Sequence, residues 1–492
     1  MQSKQTTSSV FSEENIQRIF GHEAAEDESP ERLREYYFKS NVFESVRADL
    51  PLRILVGHKG IGKSALFTVA KAEDEESGIL SLSLRPDDVI EVEANSSDFN
   101  RQIQQWKTGL TRIIQKKIFQ NLGSEQVLDN VGLAGTGKFL SWLQSTAKPF
   151  LADKIDLEPT QRAYADRFLN ANALNVYIDD LDRGWKGNSE DVQRISALLN
   201  ALRDLSNSNR GLRFRVALRS DVYFLVRTAD ESTDKLESSV IWHAWENHQI
   251  LALLVKRILT YYGEDADADQ LTKMRQDALS VHLRRVMVPT FMGQGKWERI
   301  PVHRMLMTMV RKRPRDIVKL CTLAARKARE SDHDLISTED FRSIFEEYSQ
   351  GRIQDTINEH RAELPEIERL IMNMKPTKRS RIATDSYIFT TDLLYQKLQS
   401  IIARGEFHFA GGAKRIANLK ELAAFLYKIN FLTARKTEGE FITRKYFEEN
   451  RYLSTTVADF GFDWEVHPAY RWALQPTDFL ALYQSISPEG GE

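Results

Sequence analysis

The residues with the clearest chemical capacity lie at Gly57-His58-Lys59-Gly60-Ile61-Gly62-Lys63-Ser64, which has the spacing GxxxxGK[ST]. Glycines allow such a loop to curl until its backbone N–H groups converge on phosphate oxygens. A helix opening at the end of the loop adds the positive end of its dipole. Lys63 is placed to neutralise the β- and γ-phosphates, and the Ser64 hydroxyl to ligate Mg²⁺. Ala65 completes the candidate binding set. The local context agrees, because the apolar run Leu52-Arg53-Ile54-Leu55-Val56 precedes the loop and a helical pattern follows it through Ala70. A second string, Gly132 to Phe139 (GLAGTGKF), has Lys138 but no terminal Ser or Thr and follows a polar segment. It reads as a turn before a helix.

A second group of candidates is acidic. Val176-Tyr177-Ile178-Asp179-Asp180-Leu181-Asp182-Arg183 is an apolar strand ending in three carboxylates. Asp179 is the candidate for the Mg²⁺ shell and Asp180 for polarising an attacking water, with Asp182 as the alternative for water or metal. Three acids within four residues repel one another unless a cation sits among them. Arg219-Ser220-Asp221 follows another apolar strand, Phe214 to Leu218, and is expected to face the γ-phosphate as a sensor. Arg183, Arg219 and Arg227 are candidates for an arginine acting on a neighbouring copy's nucleotide.

The elements that must hold these groups alternate. Strands are expected at 52–56, 79–84, 175–178 and 214–218, with long amphipathic helices at 98–122 and 190–206. That order predicts a parallel sheet covered on both faces, with the 214–218 strand lying between the phosphate-loop strand and the acidic strand. Residues 1–20 read as polar and loosely ordered, and the segment after 240 as largely helical. Aromatic-rich strands are expected near 441–447 and 462–474.

The 492 residues carry 68 Lys+Arg against 70 Asp+Glu, which argues against a wholly polycationic nucleic-acid binder. One cysteine, Cys321, excludes an intrachain disulfide, and Cys/His zinc spacing, HExxH and GxSxG are absent. The longest apolar run, Ile250 to Val255, falls far short of the roughly 20 residues that span a bilayer. The N-terminus offers no signal-peptide core, so a cytoplasmic protein without a membrane partner is expected.

GHKGIGKSA, YIDDLDRG, VALRSDVY and KRPRDIVKLCTLAARKA together resemble bacterial P-loop ATPases of the STAND and KAP type, within the AAA+-like class. The resemblance spans about residues 35–350. It implies an α/β P-loop NTPase core with a parallel AAA+/STAND-like sheet, then a helical lid and a C-terminal winged-helix-like domain. The corresponding expected boundaries are 1–47, 48–262, 263–350 and 351–492. It also implies ATP as ligand, Pro314 packing on the adenine, and Arg315 in a sensor-2 position reaching the γ-phosphate. Read without the resemblance, Pro314 and Asp316 simply suit a helix N-terminus, leaving Arg315 unexplained. The implied role is an oligomerising switch in a defence or mobile-element conflict system, controlling a separate effector protein.

Residues 373–452 hold 15 Lys+Arg and 8 Asp+Glu, a local charge of +7 that leaves −9 on the rest. The stretch supports two readings: DNA-backbone contact through Lys378, Arg379, Arg381, Lys414 and Arg415, or a protein-interaction wing. The first defines the alternative function, a DNA-associated AAA+-like ATPase of the origin-binding or loader type. Trp464, Tyr470 and Trp472 are expected in the core rather than stacked on bases. His58 is expected to meet a neighbouring subunit or nothing.

Overall fold

A computed structural model describes residues 10–89, 92, 94, 96–123, 139–152, 159–185, 187–229, 231–376, 387–410, 416–438, 441–450, 453, 461–475 and 479–489. They form two compact units. The sheet unit comprises Lys39–His58 and Lys63–His243; the helical unit comprises Met1–Phe38, Lys59–Gly62 and Ala244–Glu492.

The sheet unit is built on five strands: β1 (Leu52–Gly57), β2 (Leu80–Leu84), β3 (Leu174–Ile178), β4 (Leu212–Arg219) and β5 (Val240–Trp242). Their spatial order is β2-β3-β4-β1-β5, and every neighbouring pair is parallel. β4 therefore separates the phosphate-loop strand from the acidic strand, as the sequence predicts. Every residue of β3 is buried, which is why Val176-Tyr177-Ile178 reads as a run rather than an alternation. The helix Phe99–Asn121 buries Trp106, Leu110, Ile113, Ile114 and Ile118 on one face and packs on the helix Ser189–Ser208. Asp98 and Asn188 start these two helices by accepting a backbone N–H three residues on.

The polar residues of β3 have a partner. Asn175 Nδ2 and Tyr177 Oη both donate to the buried Asp74 carboxylate at 2.6 Å, and Ser81 Oγ of β2 donates at 3.3 Å. Asp74 sits on the helix Lys63–Glu76 that follows the phosphate loop, so this network ties that helix to two strands. Burial, with the charge on Asp74 adding to it, pushes the Tyr177 hydroxyl far above its usual pKa.

The helical unit departs from expectation at its N-terminus. Residues 13–20 are not loose: Glu13–Phe20 is a helix capped by Ser12, with Ile16, Ile19 and Phe20 buried. The apolar residues recur at helical spacing within a polar composition, and the face they form packs on the helices Asn247–Tyr261 and Pro314–Glu330. At the centre of this unit Asp316 accepts from Arg311 at 2.7 and 2.9 Å and from Arg352 at 2.6 Å. Arg311 continues to Thr356 Oγ1 and Tyr470 Oη. Despite complete burial, the two guanidinium groups hold the Asp316 carboxyl well below the usual carboxylate range.

The C-terminal region carries an antiparallel sheet of Ile388–Phe389, Leu432–Glu438, Phe441–Lys445 and Asp463–Val466 beside the helices Thr391–Ile402 and Leu419–Lys428. The strand expected at 462–474 stops at Val466; Pro468–Leu474 is a helix, with proline at its first turn. Trp464, Tyr470 and Trp472 are buried core, as expected. Glu465 is clasped by Arg444 and Arg471 in the same core. Lys378, Arg379, Arg381, Lys414 and Arg415 lie outside the described residues, as does the second glycine-rich string up to Lys138. Among the described residues no helix is long and apolar enough to cross a membrane.

The Arg311–Asp316–Arg352 cluster yields a stability test. Asp316→Asn leaves two buried guanidinium groups facing an amide, and a loss of about 3–5 kcal/mol is expected. Urea denaturation followed by far-UV circular dichroism reads it directly; a change under 1 kcal/mol, on the scale of a surface pair, would refute this view of the cluster.

Candidate phosphate-binding site

In the sheet unit, parallel pairing sets the levels of the candidate groups. Gly57 at the end of β1 pairs with Arg219 at the end of β4, and Ile178 of β3 pairs with Val216 two strands away from β5. The phosphate loop, the acids and the Arg219-Ser220-Asp221 string thus leave the same, C-terminal, edge of the sheet. That edge is where open parallel sheets bind ligands.

Lys63 opens its helix and turns its ammonium back onto the loop, donating to the carbonyls of Gly57 at 2.8 Å and His58 at 3.1 Å. His58 is buried and hydrogen-bonded through Nδ1 to Ser220 Oγ at 3.0 Å. The histidine expected to meet a neighbouring copy or nothing therefore links the loop to the residue that follows β4. His243, just past β5, is also buried, and its backbone N–H donates to the Val56 carbonyl. Burial, with the Lys63 charge adding to it, drives the His243 pKa down to about 3, so this ring is neutral at physiological pH.

The three acids diverge. Asp179 accepts the Asp180 backbone N–H through Oδ1 at 2.9 Å. Asp180 is exposed and adopts φ 58°, a left-handed conformation that aspartate tolerates better than most residues. Asp182 folds back: its side chain is 9% exposed and pairs with Arg219 Nη1 at 3.2 Å. Burial raises its pKa, while the Arg219 and Lys63 charges act in the opposite direction. Arg219 also forms a two-pronged bond to Asp221, at 3.0 and 2.6 Å. The other finger candidates differ: Arg183 is exposed, and Arg227 pairs with Glu237.

The loop tip, Lys59–Gly62, belongs to the helical unit. Glu359 Oε1 accepts the Lys59 N–H at 3.0 Å, and Arg313, paired with Glu359 at 3.1 Å, donates to the Lys59 carbonyl at 3.3 Å. The Arg315 backbone N–H donates to the Gly60 carbonyl at 3.3 Å. The Trp245 indole donates to the Ile61 carbonyl at 2.8 Å. Gly60 has φ 79°, and a Cβ there would sit 3.0 Å from Arg315 Cβ, so both conformation and space require glycine. Gly62 also has positive φ. Among the described residues, the N–H groups of Gly60, Ile61 and Gly62 have no protein acceptor. Carbonyls held on one side and N–H donors left available are what a phosphate cradle requires. Pro314 is the buried first residue of its helix, and the Arg315 side chain donates through Nε to the Glu23 carbonyl at 3.1 Å.

Sequence reasoning did not single out His243, Trp245, Arg313 or Glu359. Arg313 stands inside the quoted KRPRD string, but nothing in its type marks a loop contact. Glu359 is a solitary acid near the end of a long helix, with no motif around it.

Strand order, P-loop and acidic strand end define a P-loop NTPase fold. A family model described as the FunZ-associated C-terminal helical domain matches residues 265–357, a minority of the chain. No curated protein matches. Among solved structures, a Walker-type ATPase of Pyrococcus abyssi, PABY2304, aligns at 12% identity and TM-score 0.41, over 89% of this chain and 96% of its own. The Aeropyrum pernix ORC2 protein, in ADPNP–ADP complexes, aligns at 12% and 0.36, over 91% and 93%. Drosophila ORC bound to DNA aligns at 11% and 0.32, over 96% and 94%. None of the three is described as a STAND or KAP protein.

The neutral, buried His243 carries a pH signature. Its folded pKa lies below its ordinary value of 6.5, so the unfolded chain takes up the proton first and stability falls on acidification below 6.5. The loss attributable to His243 is about 2 kcal/mol by pH 5. His243→Gln is expected to flatten that part of the stability–pH curve, measured by chemical denaturation at pH 7, 6 and 5. Parallel curves for variant and wild type would contradict the assignment.

Proposed function

We propose that this chain is a Mg²⁺-dependent, ATP-binding and ATP-hydrolysing P-loop ATPase that acts as an oligomerising switch. The observation that supports it most is the convergence on one sheet edge of Lys63, Asp179 and the Lys63-influenced pair Asp182–Arg219. The available N–H groups of Gly60, Ile61 and Gly62 fit phosphate oxygens. Ser64 and Asp179 are the residues that would hold Mg²⁺, which when bound offsets phosphate charge. In this reading the Lys63 ammonium leaves the Gly57 and His58 carbonyls for the phosphates. A carboxylate then orients the attacking water.

Sequence spacing gives that role to Asp180, the residue that follows the strand acid. We assign it to Asp182, which is paired with Arg219 and feels the Lys63 charge, whereas Asp180 is exposed. Ser220, anchored by His58, and Arg219 are the sensing groups of this proposal. Pro314 and Arg315 remain the proposed adenine and γ-phosphate contacts; for Arg315 this requires exchange of its Glu23 partner. In a cell the reading corresponds to a cytoplasmic switch of a bacterial defence or mobile-element conflict system, acting on a separate effector. The expected division at 47, 262 and 350 is part of the same proposal.

Two variants and one nucleic-acid control test it. Lys63→Ala is expected to lower ATP affinity at least about 100-fold, read by equilibrium binding of a fluorescent ATP analogue; a charge-assisted contact to phosphate is worth that much. Asp182→Asn is expected to bind ATP normally while turning it over about 100-fold more slowly, with Asp180→Asn within about threefold of wild type. The reverse ranking would return the water-orienting role to Asp180. Steady-state hydrolysis is expected to be indifferent to duplex DNA at low salt. Strong stimulation, lost in Lys63→Ala, would favour the origin-binding or loader reading instead.

A further inference from the structure

The loop tip presents an arrangement that no motif describes. Lys59 is held at both ends of its peptide framework by one buried ion pair. Its N–H goes to Glu359 Oε1, Glu359 Oε2 meets Arg313 Nη1, and the same Nη1 returns to the Lys59 carbonyl. The side chains of this pair are 1% and 4% exposed, where an ion pair is hardly screened by solvent. Gly60 is held next, by the backbone N–H of Arg315. Arg315 is the second residue of its helix, so this N–H is one of the donors that a helix start leaves without an intrahelical partner. A helix start that in other settings meets an anion here meets a loop carbonyl. Ile61 is held last, by the Trp245 indole, which is itself buried beside Phe38.

Three consecutive residues of the loop thus have their carbonyls fixed, Lys59 and Gly60 by the start of the helix Pro314–Glu330 and Ile61 by Trp245. A peptide plane whose carbonyl is fixed has its neighbouring N–H direction fixed as well, since the peptide unit is planar. Restraining the carbonyls of Lys59, Gly60 and Ile61 therefore aims the N–H groups of Gly60, Ile61 and Gly62, the three donors without a protein acceptor.

We infer that Glu359 and Arg313, seconded by Trp245, are positioning residues that preorganise the phosphate loop for a nucleoside triphosphate. The proposal rests on the nucleotide-binding reading. Its consequence is that triphosphate affinity depends on a carboxylate 300 residues away in sequence from the loop it serves. The clamp acts on binding: it lowers the ordering cost of the loop and leaves the chemical step to Lys63 and the acids.

The test uses the full chain. Glu359→Gln keeps an acceptor for the Lys59 N–H but removes the ion pair with Arg313; Trp245→Phe removes only the Ile61 bond. Glu359→Gln is expected to raise the dissociation constant of a fluorescent ATP analogue about tenfold and Trp245→Phe about threefold, the ranges of one charge-assisted and one neutral hydrogen bond. KM for ATP should rise in parallel while kcat at saturation stays within twofold. Hydrogen exchange of wild-type protein without nucleotide supplies a measurement that needs no variant: the Lys59 amide is expected to be protected, and the Gly60 to Gly62 amides to become protected only with ATP. Two folded variants with wild-type affinity, or a Lys59 amide that exchanges as fast as an open loop, would overturn the clamp. A wild-type chain that binds no ATP would instead sink the nucleotide reading, and the clamp's purpose with it.

Discussion

The parallel pairing of β1 with β4, and of β4 with β3, is the constraint on which the sheet unit depends. It puts the ends of three strands at one edge, with Gly57 level with Arg219. From that registration follow the contacts that matter: His58 with Ser220, Arg219 with Asp182, and Lys63 close enough to alter the Asp182 carboxyl. A one-residue slip would reverse the facing of every side chain in the shifted strand and dissolve the contacts made at its end. The buried Asp74 network secures the same geometry from the other direction, by bonding the helix after the loop to β2 and β3.

Electrostatics in this protein are managed mainly by burial with compensation. Asp316 lies between Arg311 and Arg352, Glu465 between Arg444 and Arg471, and Glu359 against Arg313. Each pair costs desolvation, which its close ionic hydrogen bonds offset. Such clusters contribute geometric definition more than net stability. In the helical unit they place the start of the helix Pro314–Glu330, and with it the backbone donor that meets Gly60. Asp182 is the exception that suits chemistry: burial raises its pKa, and the Arg219 and Lys63 charges oppose the shift without reversing it.

The alternation of apolar runs and amphipathic helices was legible in the chain, as were the loop, the strand-end acids and the insertion of β4. Two regions were not. The Glu13–Phe20 helix has too few apolar residues to stand out until the surface it covers is known. The aromatic stretch after Val466 reads as a strand because Tyr470 and Trp472 favour strands in isolation, but Pro468 starts a helix and tertiary packing buries both rings.

The sequence by itself determined the phosphate loop, its lysine and serine, and the acidic end of β3, because each depends on residue types at fixed short spacing. The tertiary structure alone decided which acid pairs with Arg219, that His58 bonds Ser220, and that Glu359 and Arg313 grip Lys59. Those contacts join residues 37 to 300 positions apart. Their partners are common residue types without local pattern, so only the packing of distant elements could reveal them.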